Sequence, residues 1–419
     1  MTCDTDENDN LYKIDIRIED DEGNHLKELF EKGLGSLLDD KHFLLLYVPE
    51  DNGDKMQIVR PASNLFHRRR MIKRINEAKR IPSFYYALSH LWGLTENNRY
   101  HWNDINEYVN DENGQPVKPV SMRPEKRDAL LTMLQDHPDS YWWIDVLCAR
   151  TNTPLHIMGD IYSCCLECIA MIDCDPTLIH TIHTMSDKAK DFEELHFNAG
   201  GCPTYDQIYH TKAPQLIESL CTFVQRQWWQ RVWTWQEMAL PVGDVRFIAE
   251  TDTLHLPPTH TITLNELLRF KKMVRLMWDR GVRDTLHDRD AKAMKLVSKV
   301  LDDIYGARKS NKYRISGSKD RFYFLLWSLR DSTRRCYDPA DYVYGVLGML
   351  QIKIPRMDDP NAVWRHLLMA LDDYMKDDDD DDRSGSPSCV DRADIIDLCK
   401  AKNIGYVYKK LIEIYFGFK

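Results

Sequence analysis

The sequence predicts an α/β fold: a parallel-sheet domain over residues 81–250, preceded over 1–80 by an N-terminal extension with short strands and a helix, and followed over 251–376 by an α-helical region. Three observations carry this. Short continuous apolar runs, YYALS (Tyr85 to Ser89), WWIDV (Trp142 to Val146) and CIAMI (Cys168 to Ile172), have the length and density of strands buried on both faces. Helix-like stretches, Pro124 to Gln135 and Leu155 to Ser163, alternate with them, the rhythm that puts helices on both faces of a parallel sheet. Beyond a further strand-like run, VRFIA after Pro241, helical periodicity takes over.

The first ten residues are acidic and polar, as in a frayed end. Tyr12, Ile14, Ile16 and Ile18 then alternate with charged residues, the period of a half-buried strand. Leu26 to Leu38 reads as an amphipathic helix interrupted by GLG. FLLLYV, the PEDNGDK turn and MQIV form a hairpin, with Asn52-Gly53 supplying the turn chemistry. HRRRMIKR (His67 to Arg74) is a dense basic cluster, readable as a phosphate, nucleic-acid or import signal, or as a solvated helix face that pairs within the protein. Helices are expected at Leu264 to Arg280, Asp284 to Tyr305, Arg321 to Leu329, Ala340 to Leu350 and Ala362 to Met375. The aspartate run and RSGSPS make residues 377–392 an acidic disordered linker, and 393–419 a closing segment that docks back as a helix.

A chain of 419 residues with 43% hydrophobic composition can fill about two or three cores. Its 56 Lys+Arg against 66 Asp+Glu leave a net charge of −10, which offers no basic footprint for nucleic acid. The start MTCDTDENDN has neither the basic nor the apolar part of a secretory signal, and no run approaches the ~20 apolar residues of a membrane span. A cytoplasmic protein without membrane or nucleic-acid partners is expected, its 11 Cys mostly reduced thiols.

In parallel sheets ligands sit beyond the carboxyl ends of the strands, here His90 to Gly93 and Leu147 to Thr151. Ser89 and Trp92 place a hydroxyl and a ring at the first of these ends. Asp145 ends the second, either as a ligand contact or as a turn acceptor. Cys148 is a nucleophile candidate with no His at a recognisable partner spacing, or an inert strand-end thiol. Cys164, Cys165, Cys168, Cys174, His180 and His183 contain zinc-like spacings, yet run through a helix end and a buried strand where Cys acts as a small hydrophobe. WWQRVWTWQE (Trp228 to Glu237) packs four Trp around one carboxylate. Either Glu237 is a core acid paired to Arg231 or another cation, or it is used.

ALSHLWG (Ala87 to Gly93), WWIDVLC (Trp142 to Cys148) and RVWTWQE (Arg231 to Glu237), in that order, resemble the signature blocks of the fungal heterokaryon incompatibility (HET) domain. DPADYVYGVLGM (Asp338 to Met349) resembles the segment that commonly follows it. HET domains are distantly similar to TIR domains, flavodoxin-like folds of which some cleave NAD at its nicotinamide bond. The resemblance thus implies a TIR-like sheet domain, no cofactor, and NAD or a related nucleotide as substrate. Glu237 would be catalytic, and Trp233, Ser89, Trp92, Asp145 and Arg231 would bind substrate. Trp233 and Glu237 stand four apart, one helical turn, so a ring for stacking and a carboxylate for an oxocarbenium-like charge can border one pocket. Nonself recognition or stress signalling leading to cell death is the implied role; the alternative is a non-catalytic module acting through protein partners or self-association. The chain departs from the family pattern at Ala149-Arg150-Thr151, in place of I-N-Q, and at His90, where Tyr is usual.

Overall fold

A computed structural model describes residues 13–19, 21–51, 53–93, 100–185, 204–254, 258–279, 288–315, 320–376 and 396–416. The expected frayed start (1–10) and acidic linker (377–392) lie outside them. The chain divides into two compact units. The first comprises residues 1–151, 164–229 and 241–302, the second 152–163, 230–240 and 303–419, and each is described by itself.

The first unit holds β1 (Leu45–Val48), β2 (Met56–Val59), β3 (Tyr85–His90), β4 (Val109–Asn110), β5 (Ser140–Ile144), β6 (Glu167–Ile172), β7 (Asp244–Ala249) and β8 (Ile262–Thr263). They form one sheet in the order β4-β2-β1-β5-β3-β6-β7-β8. The four strands expected from YYALS, WWIDV, CIAMI and VRFIA are its parallel centre, β5-β3-β6-β7, with Leu88 opposite Ile144 and Ile169. The hairpin from FLLLYV and MQIV also forms, and β1 runs antiparallel against β5, so these N-terminal strands extend the same sheet. Tyr85, Tyr141, Trp142 and Ile144 are sealed inside, as continuous apolar strands require.

Four local expectations are corrected. Residues 13–19 form no strand: the Asp15 and Ile16 amides donate to the side chains of Asn76 and Glu31, and Ile16 alone is plugged into the core. The helix His25–Asp39 runs unbroken through GLG, because Phe30, Leu34, Leu37 and Leu38 make one buried stripe worth more than the helix penalty of two glycines. β5 stops at Ile144, and Asp145–Cys148 turns into a short helix in which the Asp145 carboxylate accepts the Val146 amide. Ala340 to Leu350 splits into Asp341–Tyr344 and Leu347–Leu350, with Val346 at φ −129° and ψ 0°.

The basic helix Leu65–Glu77 is internally paired: Arg68 to Asp39 at 2.6 Å, Arg70 and Arg74 both to Asp139. That matches the solvated, self-pairing alternative for HRRRMIKR. Among the described residues no helix is long and apolar enough to cross a membrane.

The second unit is helical, with Ile157–Ser163, Thr234–Ala239, Asp320–Arg330, Pro360–Lys376 and Ile404–Phe416. The closing helix docks as expected, burying Val407, Tyr408 and Leu411, with Leu325 and Leu329 buried on Asp320–Arg330. Gly159 and Gly348 let two short helices touch backbone to backbone, where any Cβ would collide.

Candidate functional site

The six residues singled out by sequence divide between the units: Ser89, Trp92 and Asp145 in the first, Arg231, Trp233 and Glu237 in the second.

In the first unit the carboxyl ends of β3, β5 and β7 gather a chain of polar groups. Asp145 is its centre. Its Oδ1 lies 2.9 Å from His90 Nε2, and its Oδ2 accepts the Trp92 indole N–H at 2.5 Å. Trp92 remains 40% exposed, and the Asp145 side chain 19%. Inward from them, His90 is buried and its Nδ1 faces Lys126 Nζ at 3.2 Å. Lys126 also donates to the Leu91 carbonyl and stands 3.8 Å from Glu250 Oε2, whose other oxygen holds Arg123. Nδ1 of His90 also lies 2.9 Å from the Leu91 carbonyl, so it faces a donor and an acceptor at once, while Nε2 faces the Asp145 carboxylate. Burial first, then the Lys126 charge, holds the imidazole below its ordinary pKa against the pull of Asp145. The result is a buried histidine beside a carboxylate that also caps its own turn; ligand contact and turn acceptor are both open to Asp145.

Ser89 lies on the same strand end but faces inward. It is buried, and its Oγ accepts the Trp228 indole N–H at 2.8 Å. Trp228 and Trp229 pack on Phe247 of β7 with ring centroids 5.7 and 5.4 Å away, while Asp173, just past β6, accepts the amides of Gln227 and Trp228. The first two tryptophans of WWQRVWTWQE are therefore core of the sheet unit.

In the second unit Trp233 immediately precedes the helix Thr234–Ala239 with helical φ and ψ, so it and Glu237 do stand one turn apart. Val232 and Trp235 are buried. Glu237 is buried too, 7% exposed, and its charge acts on the fully buried Arg334. Desolvation pushes the Arg334 guanidinium down to about 9, and Asp303 and Glu237 oppose that fall. Arg334 also donates to the Arg231 carbonyl and to Thr234 Oγ1, and lies 4.6 Å over the Trp235 ring. Trp233 finds a different acid: its side chain hydrogen-bonds Asp341, a carboxyl that burial pushes up to about 6, with Arg231 and Arg356 pulling the other way. Between these, Gln236 clasps the backbone, donating to the Tyr344 carbonyl at 3.1 Å and accepting the Gly348 amide at 2.9 Å.

Lys126, Glu250, Arg334 and Asp341 were not singled out by sequence. Glu250 follows VRFIA directly, so the strand-end rule that selected Trp92 also points to it; Lys126 carries no such signal. Cys148 is buried, its thiol pushed up to about 12, which suits the inert alternative. Cys164, Cys165 and Cys168 are sealed in the core, and among the described residues no three Cys, His, Asp or Glu side chains gather as a metal site would need.

Residues 85–237, from the first residue of β3 to Glu237, match the family model of the heterokaryon incompatibility protein (HET) domain, which supports a heterokaryon-incompatibility-related function. No curated protein and no solved structure gives a significant match.

Proposed function

We propose, from the premise that residues 85–237 form a HET domain, that this chain acts in nonself recognition or stress signalling that ends in growth arrest or cell death. Within it the strand ends bind NAD or a related nucleotide. The supporting observation is the Trp92–Asp145 pair: a ring with exposed surface for stacking, hydrogen-bonded to a carboxylate that His90 also holds. A carboxylate there accepts ribose hydroxyls and offsets the positive charge that develops when a nicotinamide bond breaks. In the enzymatic form of this reading, NAD is hydrolysed to nicotinamide and ADP-ribose, with Glu237 as the acid assigned by the TIR likeness.

A second reading is favoured by one observation, the burial of Glu237 beside Arg334. There the domain binds without turning over and signals by contact with protein partners or further copies of itself. Nicotinamide release from NAD by concentrated or crowded protein separates the two. Release that Glu237→Ala abolishes supports hydrolysis, and equal rates in both proteins remove Glu237 from the chemistry. NAD binding that Asp145→Ala abolishes, with no release in wild type, supports the contact module.

A further inference from the structure

Of the zinc-like spacings in the sequence, the cysteines are buried, but His180 is exposed, on the helix that runs over residues 176–185 after β6. Its neighbour comes from a distant stretch of the same unit. His260 closes the turn Pro258–His260 ahead of β8, and the two ring centroids stand 6.1 Å apart. His260 Nδ1 faces Asp252 Oδ2 at 2.8 Å, and His180 Nδ1 faces the Thr259 carbonyl at 3.3 Å. A carboxylate and a carbonyl only accept, so each neutral ring carries its proton on Nδ1 and keeps its lone pair on Nε2. Among the described residues no hydrogen bond engages either Nε2. Asp252 is itself fixed: its side chain is 5% exposed, and its other oxygen accepts the Leu254 amide at 2.8 Å.

Histidines that ligate a metal are oriented in this manner, with the ring N–H of the far side given to a carboxylate or a backbone carbonyl. An ion about 2.0 to 2.1 Å from each nitrogen lies about 3.2 Å from each ring centre, so rings sharing it stand about 5.2 Å apart in tetrahedral geometry and at most about 6.4 Å apart. The observed 6.1 Å is inside that limit, and closing by about 1 Å falls to His180, the exposed partner. The charge nearby suits a cation. Burial pushes the Cys174 thiol, just past β6, up to about 12; Arg226 pulls the other way, and Asp173, Asp175 and Asp252 add to the rise. Carboxylates thus outnumber the guanidinium at this end of the sheet, and the protonated thiol leaves imidazole as the ligand chemistry on offer.

We propose that His180 and His260 form a binding site for a borderline divalent cation such as Zn2+, with water in its remaining positions, and that the ion ties the helix after β6 to the turn before β8. Asp252 and the Thr259 carbonyl orient the two rings. The site is independent of the nucleotide reading. With two protein ligands it is weaker than a closed structural centre and loads according to the concentration of the ion.

The test is calorimetric titration of the reduced full chain with Zn2+, and with Mg2+, which prefers oxygen ligands, as the control. Zn2+ is expected to bind and to raise the thermal unfolding midpoint by about 3 °C when in excess, and Mg2+ to do neither. His180→Ala removes an exposed ring and leaves the fold in place; it should weaken Zn2+ binding more than about tenfold. His260→Asn, whose amide N–H still meets Asp252 while Nε2 is gone, should do the same. Absence of Zn2+ binding in the wild type overturns the proposal. So does equal affinity in wild type and both variants, which would put the ion at other side chains. A loss in one variant alone would mean a single-histidine contact and overturns the shared site as well.

Discussion

At the strand ends of the sheet unit, an indole N–H meets a carboxylate: Trp92 to Asp145 at 2.5 Å, with the ring 40% exposed. In the RVWTWQE turn of the helical unit the same chemistry recurs as Trp233 to Asp341, and the acid one turn along from Trp233, Glu237, is committed instead to the neighbourhood of Arg334. Both regions use tryptophan, carboxylate and buried cation. They differ in where the chain of charges ends. From Glu250 through Lys126 and His90 it leads outward to a carboxylate with some solvent access, whereas Glu237, Arg334 and Gln236 are all buried. A motif spacing such as Trp-x-x-x-Glu fixes a helical face, but not which acid the indole meets.

The largest expected effect breaks the interior cluster. Arg334→Met takes the guanidinium from Glu237 and Asp303 and the donor from Thr234, so a loss of about 3 to 5 kcal/mol is expected in denaturant titrations. Binding of a nucleotide at Trp92 and Asp145 should persist wherever the protein is still folded. An unchanged midpoint would mean that Glu237 does not depend on Arg334, and the contrast between the two regions would dissolve.

A smaller effect reads the Asp341 carboxyl through pH. Burial raises it to about 6, above its unfolded value, so between about pH 4 and about pH 6 the folded state holds a proton that the unfolded chain has released. Stability is therefore greater below that window and falls as pH rises through it, by at most about 3 kcal/mol. Asp341→Asn should flatten this slope in pH-dependent unfolding curves. A wild-type slope of the opposite sign would show that Trp233 and Arg231 outweigh the burial.

How much of this was legible in sequence follows the physics of each signal. Continuous apolar strands such as YYALS and CIAMI announce themselves, because burial on both faces leaves no room for polar residues, and so the parallel centre of the sheet was readable. The alternation at Tyr12 to Ile18 misled, since period two says which side chains turn inward but not whether a neighbouring strand exists to pair with. Asp145 and Trp92 were found by the strand-end rule. Lys126, Arg334 and Asp341 were not, because a buried charge looks like a solvated one until its distant partner is placed beside it. Ser89 shows the converse: its position at the strand end was right, and its direction, towards Trp228, is set by the pleat.

The smallest effect falls on the exposed member of the pair. Trp92 contributes little to the core, so Trp92→Ala should lower the unfolding free energy by no more than about 1 kcal/mol. Nucleotide affinity measured by calorimetry should nevertheless fall about tenfold, the loss of one stacking face. Trp235→Ala, a change of the same residue type in the buried region, should do the opposite, costing stability through the cavity it leaves. If Trp92→Ala left affinity intact, the strand ends would be no more a ligand site than the RVWTWQE turn is. A fall in affinity with stability preserved would set the two tryptophans apart by function, since both are rings beside charge and only the outer one has surface to offer.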